Sequence, residues 1–215
     1  MYYRNAKKSK KQVEAQEEMN QEQVFFMHQH QPEAGSNSGV DQDENKLYFY
    51  SAVGEKEVLE LNKMVKKLDR DMQILGITLN IPPPPIELHL HSEGGSLFAG
   101  LAAYDCIKSC KTPVHTYIDG CAASAATLLF LAGSKRILYK NSFMLIHQLS
   151  ASVLGGKHED FKDELKNQEK LMHTAKKIYL ERGTMSEEEL SDVMKHDLWM
   201  DSETIVKNGF ADEIF

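Results

Sequence analysis

Between Ile86 and Gly133 the chain repeats one passage twice: an apolar strand pattern, a tight turn of very small residues, then an apolar helix. IELHLHS alternates Ile86, Leu88 and Leu90 against Glu87, His89 and His91, the period of a strand. EGGS then turns the chain into LFAGLAAYDCIKSC, where Leu97, Leu101, Tyr104 and Ile107 fall on one helical side. VHTYIDG is the second strand, and AATLLFLAGS, closed by Gly133, is the second helix. Strands joined through helices lie parallel, so this order predicts an α/β fold with right-handed crossovers.

The flanks extend the pattern. KLYFYSAV, residues 46 to 53, is rich in β-formers. EKEVLELNKMVKKLDRDM places Val58, Leu61, Val65, Leu68 and Met72 on one helical face, and Pro82 to Pro85 end any helix there. KRILYKNS and FMLIHQL read as further strands. A long polar helix follows from about His158 to Arg182, with Phe161, Leu165, Met172, Ala175 and Tyr179 among its apolar positions, and Gly183 ends it. Ser186 with Glu189 forms a capping box. SETIVKNG is a last short helix, with Ser202 as expected N-cap and Gly209 past its end.

A chain of 215 residues, 41% hydrophobic, supports one sizeable domain. We place it at 46–215. Residues 1–45 differ: the basic residues lie within Arg4 to Lys11, then Gln and Glu dominate, then PEAGSNSG and DQDEN. Such a stretch buries little and reads as flexible, apart from a short apolar island at Val24 to Met27 that suits a local contact or a docking segment. A net charge of -7 argues against non-specific nucleic-acid binding. Cys106, Cys110 and Cys121 show no disulfide or zinc spacing, which points to a reducing compartment. No apolar run reaches membrane-spanning length and no phosphate-cradling P-loop occurs. The expectation is a soluble, cytoplasmic protein with no cofactor, no metal, no nucleic acid and no membrane.

Ser124 sits in CAASAAT, between a strand and an apolar helix. Small neighbours suit a tight helix start; they also let a substrate carbonyl approach a nucleophile at a helix N-terminus, where free N–H groups favour negative charge. The N–H of Ala125 would then meet a developing oxyanion. The run is not the G-x-S-x-G elbow. A serine needs a base, and His147 closes an apolar strand where the chain turns polar. The base needs an acid: Asp192, Asp197, Asp201 and Asp212 are all available, and periodicity does not choose. Asp197 stands beside Leu198 and Trp199, which would shield it from water. In SEGGS, Gly94 and Gly95 bring backbone N–H groups near a substrate. His89 and His91 share a strand side, but no acid or cysteine lies at ligand spacing.

In their order, HLHSEGGSLFAGLAAYD, DGCAASAATLLFLAGSKR, NSFMLIHQ and DLWMDSETIVKNGFAD make the chain from about Leu47 onward resemble the proteolytic subunits of the Clp protease, a family of serine peptidases. The resemblance implies a ClpP/crotonase-like β-α-β superhelical spiral with a protruding helical handle after Gly156. It implies Ser124 as nucleophile, His147 as base, Asp197 as its acid, and the N–H groups of Gly95 and Ala125 as oxyanion donors. It implies stacked rings of the chain itself, expected as heptamers, enclosing a chamber that a separate AAA+ unfoldase feeds with unfolded protein. Glu93 and Leu149 stand where the family has proline, and Ala125 where it has methionine. The missing prolines motivate one alternative, a weakly active or inactive structural ring subunit; the broader crotonase-like group supplies another, an acyl-CoA enzyme.

Overall fold

β4 (Val114–Ala123) organises the molecule because it is paired along both edges and forks along its length. In the computed structural model, which describes residues 39–150 and 155–215, its first half pairs in parallel with β5 (Lys135–Leu138). Its last three residues instead pair with β6 (Phe143–Leu145), as Cys121↔Phe143, Ala122↔Met144 and Ala123↔Leu145. On the other edge lies β3 (Ile86–Ser92), then β2 (Lys46–Phe49) in parallel and β1 (Val40–Asp43) antiparallel. β8 (Glu213–Ile214) extends β5, and β7 (Trp199–Asp201) pairs antiparallel with β6.

Helices carry the crossovers: α1 (Glu55–Leu79) links β2 to β3, α2 (Leu97–Lys108) links β3 to β4, and α3 (Ala126–Leu131) links β4 to β5. Val58, Leu61, Val65 and Leu68 of α1 are buried as the periodicity predicts, with Met72 partly buried. α3 is buried at every position and runs through the core, which is why its sequence has no polar face. α4 (His158–Arg182) matches its expected span; only Ala175, Ile178 and Tyr179 are buried, all near its C-terminal end. α5 (Glu187–Val193) has the expected capping box, and α6 (Ser202–Lys207) follows β7.

Three expectations change. The sheet begins before residue 46: Val40–Asp43 forms a strand because its backbone groups pair with β2, despite an acidic sequence without alternation. The fully buried side of α2 is Ala99, Gly100, Ala103 and Ile107, while Leu97, Leu101 and Tyr104 pack at its margin. The N-cap of α6 is Asp201, whose carboxylate accepts from the Thr204 N–H at 2.8 Å; Ser202 is buried and donates to the Lys140 carbonyl instead. The apolar island Val24 to Met27 and the flexibility expected for the N-terminal segment lie outside the described residues.

Candidate active site

The two tiny turns of the sequence are small because they touch each other. Gly94 has φ +102°, and a Cβ there would stand 2.6 Å from the Ala123 carbonyl oxygen and 2.7 Å from Ser124 Cβ. From the far side, a Cβ at Gly100 would lie 3.0 Å from the Ala125 carbonyl oxygen. Ser124, the residue between them, has φ +53°, a left-handed conformation that costs an ordinary residue roughly 1–2 kcal/mol. The surroundings enforce it. The Ser124 N–H donates to the Leu145 carbonyl at 2.9 Å, and the Ser124 carbonyl accepts from the Thr127 N–H at 3.0 Å and the Thr127 hydroxyl at 2.6 Å. Strain held at one side chain between a strand and a helix is a mark of a functional turn.

His147 lies two residues beyond β6 and Asp197 two residues before β7. Leu145 pairs with Trp199 in the antiparallel ladder, so continuing the register outward sets position 147 opposite position 197. His147 Nδ1 is 3.1 Å from Asp197 Oδ1. A proton on Nδ1 facing a carboxylate leaves Nε2 as the basic nitrogen. The Gln148 N–H donates to the Met194 carbonyl at 2.8 Å and anchors the segment after the histidine. The other three acids serve elsewhere: Asp192 pairs with Lys195 at 3.2 Å, Asp201 caps α6, and Asp212 pairs with Arg136 at 2.6 Å. The expected shield is not there. The Asp197 side chain is 78% exposed, and Leu198 and Trp199, the latter opening β7, are themselves exposed.

Ser124, Ala125, Gly95 and His147 border one cavity of about 70 Å³ whose apolar wall includes Leu128 and Met172. Among the described residues the N–H groups of Gly95 and Ala125 donate to no protein acceptor, and the Ser124 hydroxyl makes no hydrogen bond. Gly95 is held at this rim because the Val53 N–H donates to the Gly94 carbonyl and the Ser96 N–H to the Val53 carbonyl, both at 2.8 Å. Tyr179 also lines the cavity, and its hydroxyl meets the Thr127 hydroxyl at 2.6 Å. Sequence reasoning took Tyr179 only as an apolar position of a helix and gave Thr127 no role. A single polar atom on an otherwise apolar helical face leaves no periodic trace.

The histidines of β3 have a different setting. His89 is stacked between Tyr48 and Tyr117, with ring centroids at 5.0 and 4.5 Å, and Nδ1 lies 2.9 Å from Asp119. His91 is exposed beside Cys121, whose thiol is pushed up by burial. Among the described residues no three or more His, Cys, Asp or Glu side chains converge as a metal cluster.

The Clp protease family model matches residues 42–215. The chain belongs to the Clp protease family. It is 33% identical over 144 residues to the ATP-dependent Clp protease proteolytic subunit of Deinococcus radiodurans, covering 66% of this chain and 70% of that protein. It is 34% identical over 146 residues to the subunit of the same name in Bdellovibrio bacteriovorus, covering 66% and 69%. A ClpP1 mutant from Listeria monocytogenes superposes with a TM-score of 0.67 at 23% identity, over 77% of this chain and 88% of that one, and shares the fold. The β-α-β architecture expected from the resemblance is therefore that of the family, and the chain is a protease of the Clp family. Neither the inactive-subunit reading nor the acyl-CoA reading is favoured by these relatives.

Proposed function

We propose that Ser124, His147 and Asp197 are the catalytic triad of an endopeptidase, with the N–H groups of Gly95 and Ala125 as oxyanion donors. The observation that carries this reading is the His147 Nδ1 to Asp197 Oδ1 contact of 3.1 Å at the rim of the cavity that Ser124 borders. Ser124 Oγ attacks the peptide carbonyl carbon while its proton passes to His147 Nε2. The carbonyl π pair moves to oxygen, where the two amides stabilise it; each such donor is worth about 3 kcal/mol of barrier. Collapse breaks the C–N bond, and His147 gives its proton to the leaving amine. Water, deprotonated by His147, then attacks the Ser124 ester, and the proton returns to Ser124 as the acid departs. Asp197 stays ionised and holds the imidazole. Among the described residues the Ser124 hydroxyl has no partner, which fits a resting site that tightens when substrate binds.

The reading extends to assembly. Phe98 on α2, Phe143 on β6, and Phe161 and Leu165 on α4 are large exposed apolar side chains, which suits burial against further copies in stacked rings. The relatives named above are ATP-dependent; here the ATP would belong to a separate AAA+ unfoldase delivering unfolded protein. Among the described residues no helix is long and apolar enough to cross a membrane, and a cytoplasmic setting fits a reducing-compartment cysteine pattern. The test is Ser124→Ala in the full chain. Hydrolysis of a fluorogenic peptide and covalent labelling by a fluorophosphonate should both vanish. Retained cleavage, or a label found on another serine, sinks the assignment.

A further inference from the structure

We infer that Tyr179, on the long helix α4, is a positioning residue for the oxyanion donor Ala125, acting through Thr127. The inference rests on the proposed triad and adds a residue to it. The Ser124 carbonyl and the Ala125 N–H belong to one planar trans peptide group, so they point in opposite directions and turn together. Whatever fixes the carbonyl aims the N–H. Two donors fix it: the Thr127 N–H at 3.0 Å and the Thr127 hydroxyl at 2.6 Å. A carbonyl only accepts, and Thr127 has one hydroxyl hydrogen; with that hydrogen on the Ser124 carbonyl, Tyr179 must donate to Thr127 Oγ1. The result is a directed chain of three groups, Tyr179 O–H to Thr127 O–H to Ser124 C=O, each link 2.6 Å long.

Three properties suit Tyr179 to this. It is only 4% exposed, so water does not compete for its hydrogen. Burial pushes its phenol up to about 12, so it remains a neutral donor throughout the working pH range. Its ring meets Phe210 edge-on with centroids 6.3 Å apart, which sets the direction of the hydroxyl. Hydrogen bonds in a chain polarise one another, and a peptide whose carbonyl accepts strongly is a stronger N–H donor on its other side. The chain therefore both orients and strengthens the Ala125 N–H at the cavity. It makes the geometry of the Ser124 turn depend on the docking of α4, an element that otherwise faces mostly solvent.

Tyr179→Phe keeps the ring and removes only the first donor; Thr127→Val removes the relay at nearly constant volume. Both variants of the full chain are expected to lower kcat for a fluorogenic peptide by about tenfold with KM nearly unchanged, below the 10²–10³ of removing a donor outright. Binding of a peptide aldehyde, whose adduct places an oxyanion in the hole, should weaken in parallel, while a non-reactive peptide of the same sequence binds as before. Thr127→Ser restores the hydroxyl and should restore both values; the double variant should lose no more than Thr127→Val alone. Wild-type kcat and aldehyde affinity in Tyr179→Phe overturn the inference. So does equal weakening of aldehyde and non-reactive peptide, which marks a general packing defect. If Ser124→Ala keeps full cleavage, the triad itself has failed; if Ser124→Ala is dead and Tyr179→Phe is normal, only the relay has.

Discussion

At the scale of single residues, this chain makes its site from what side chains leave out. Gly94 tolerates no Cβ because the space is taken by Ala123 and Ser124. Gly94→Ala would also be strained by its φ of +102°. The added methyl has only backbone and the Ser124 Cβ to push against, so the Ser124 turn must move. We expect Gly94→Ala to lower peptide turnover by about a hundredfold, the scale of a 1 Å misplacement of reacting groups. The measurement is kcat on protein shown by circular dichroism to be folded; a normal kcat would mean the two turns are not coupled. Asp197 makes a different case. Asp197→Asn keeps the shape of the contact and loses the charge, so kcat should fall roughly 10²–10⁴-fold without loss of stability. A wild-type rate in that variant would remove Asp197 from the proposed triad.

At the scale of elements, two arginines join the ends of three helices. Arg182, at the end of α4, donates from Nε to the Leu131 carbonyl at 2.8 Å and from Nη2 to the Gly133 carbonyl at 2.6 Å, satisfying the C-terminus of α3. Arg136 in turn donates to the carbonyls of Arg182 and Gly209 and pairs with Asp212. Arg182→Met keeps the stem and removes the donors; it should lower unfolding free energy by about 2–3 kcal/mol, read from a urea midpoint. A midpoint equal to the parent's would show that water replaces the arginine freely. These ties were invisible in the sequence, where Arg182 was only the last residue of a helix. The elements themselves were legible where one period dominated: the apolar stripe of α1 is as read, and so is β3 apart from His89, which is buried on the polar side between Tyr48 and Tyr117. α2 was misjudged because hydrophobicity weights its large residues, whereas the side that is fully buried is made of small ones, Ala99, Gly100 and Ala103, and at Gly100 a Cβ would crowd Ala125. Ser124 and His147 stood out as candidates from their neighbours. Among the acids the residues alone could not choose, since that choice depends on a strand register between segments some fifty positions apart.

The whole molecule stores part of its stability in two carboxylates. For Asp69, desolvation by burial acts to raise the pKa, but hydrogen bonds to its carboxylate from the Thr112 N–H, the Gln73 amide and the Lys111 N–H outweigh it and hold it below the usual carboxylate range. Asp212 is likewise held low: desolvation raises it, and bonds and charge from Arg136, with Arg182 beside it, more than reverse this. A group with a lowered native pKa stabilises the fold above its unfolded pKa of about 3.9 and loses that contribution as pH falls toward the native value. Thermal stability should therefore decline steeply below about pH 4. Asp69→Asn should flatten that decline while lowering the neutral-pH melting temperature. An acid limb of unchanged slope in the variant would show that Asp69 does not titrate with unfolding.

The fork of β4 bears on when this chain becomes dangerous to its surroundings. The strained Ser124 turn needs β3 on one edge of β4 and β6 at its tip, since the Ser124 N–H closes on the β6 carbonyl of Leu145. The histidine segment follows β6, and its carboxylate arrives only with β7, near the end of the chain. A copy in which β7 has not yet paired with β6 lacks the His147–Asp197 geometry. With the proposed triad, topology alone thus keeps the newborn protease idle until β7 has closed on β6.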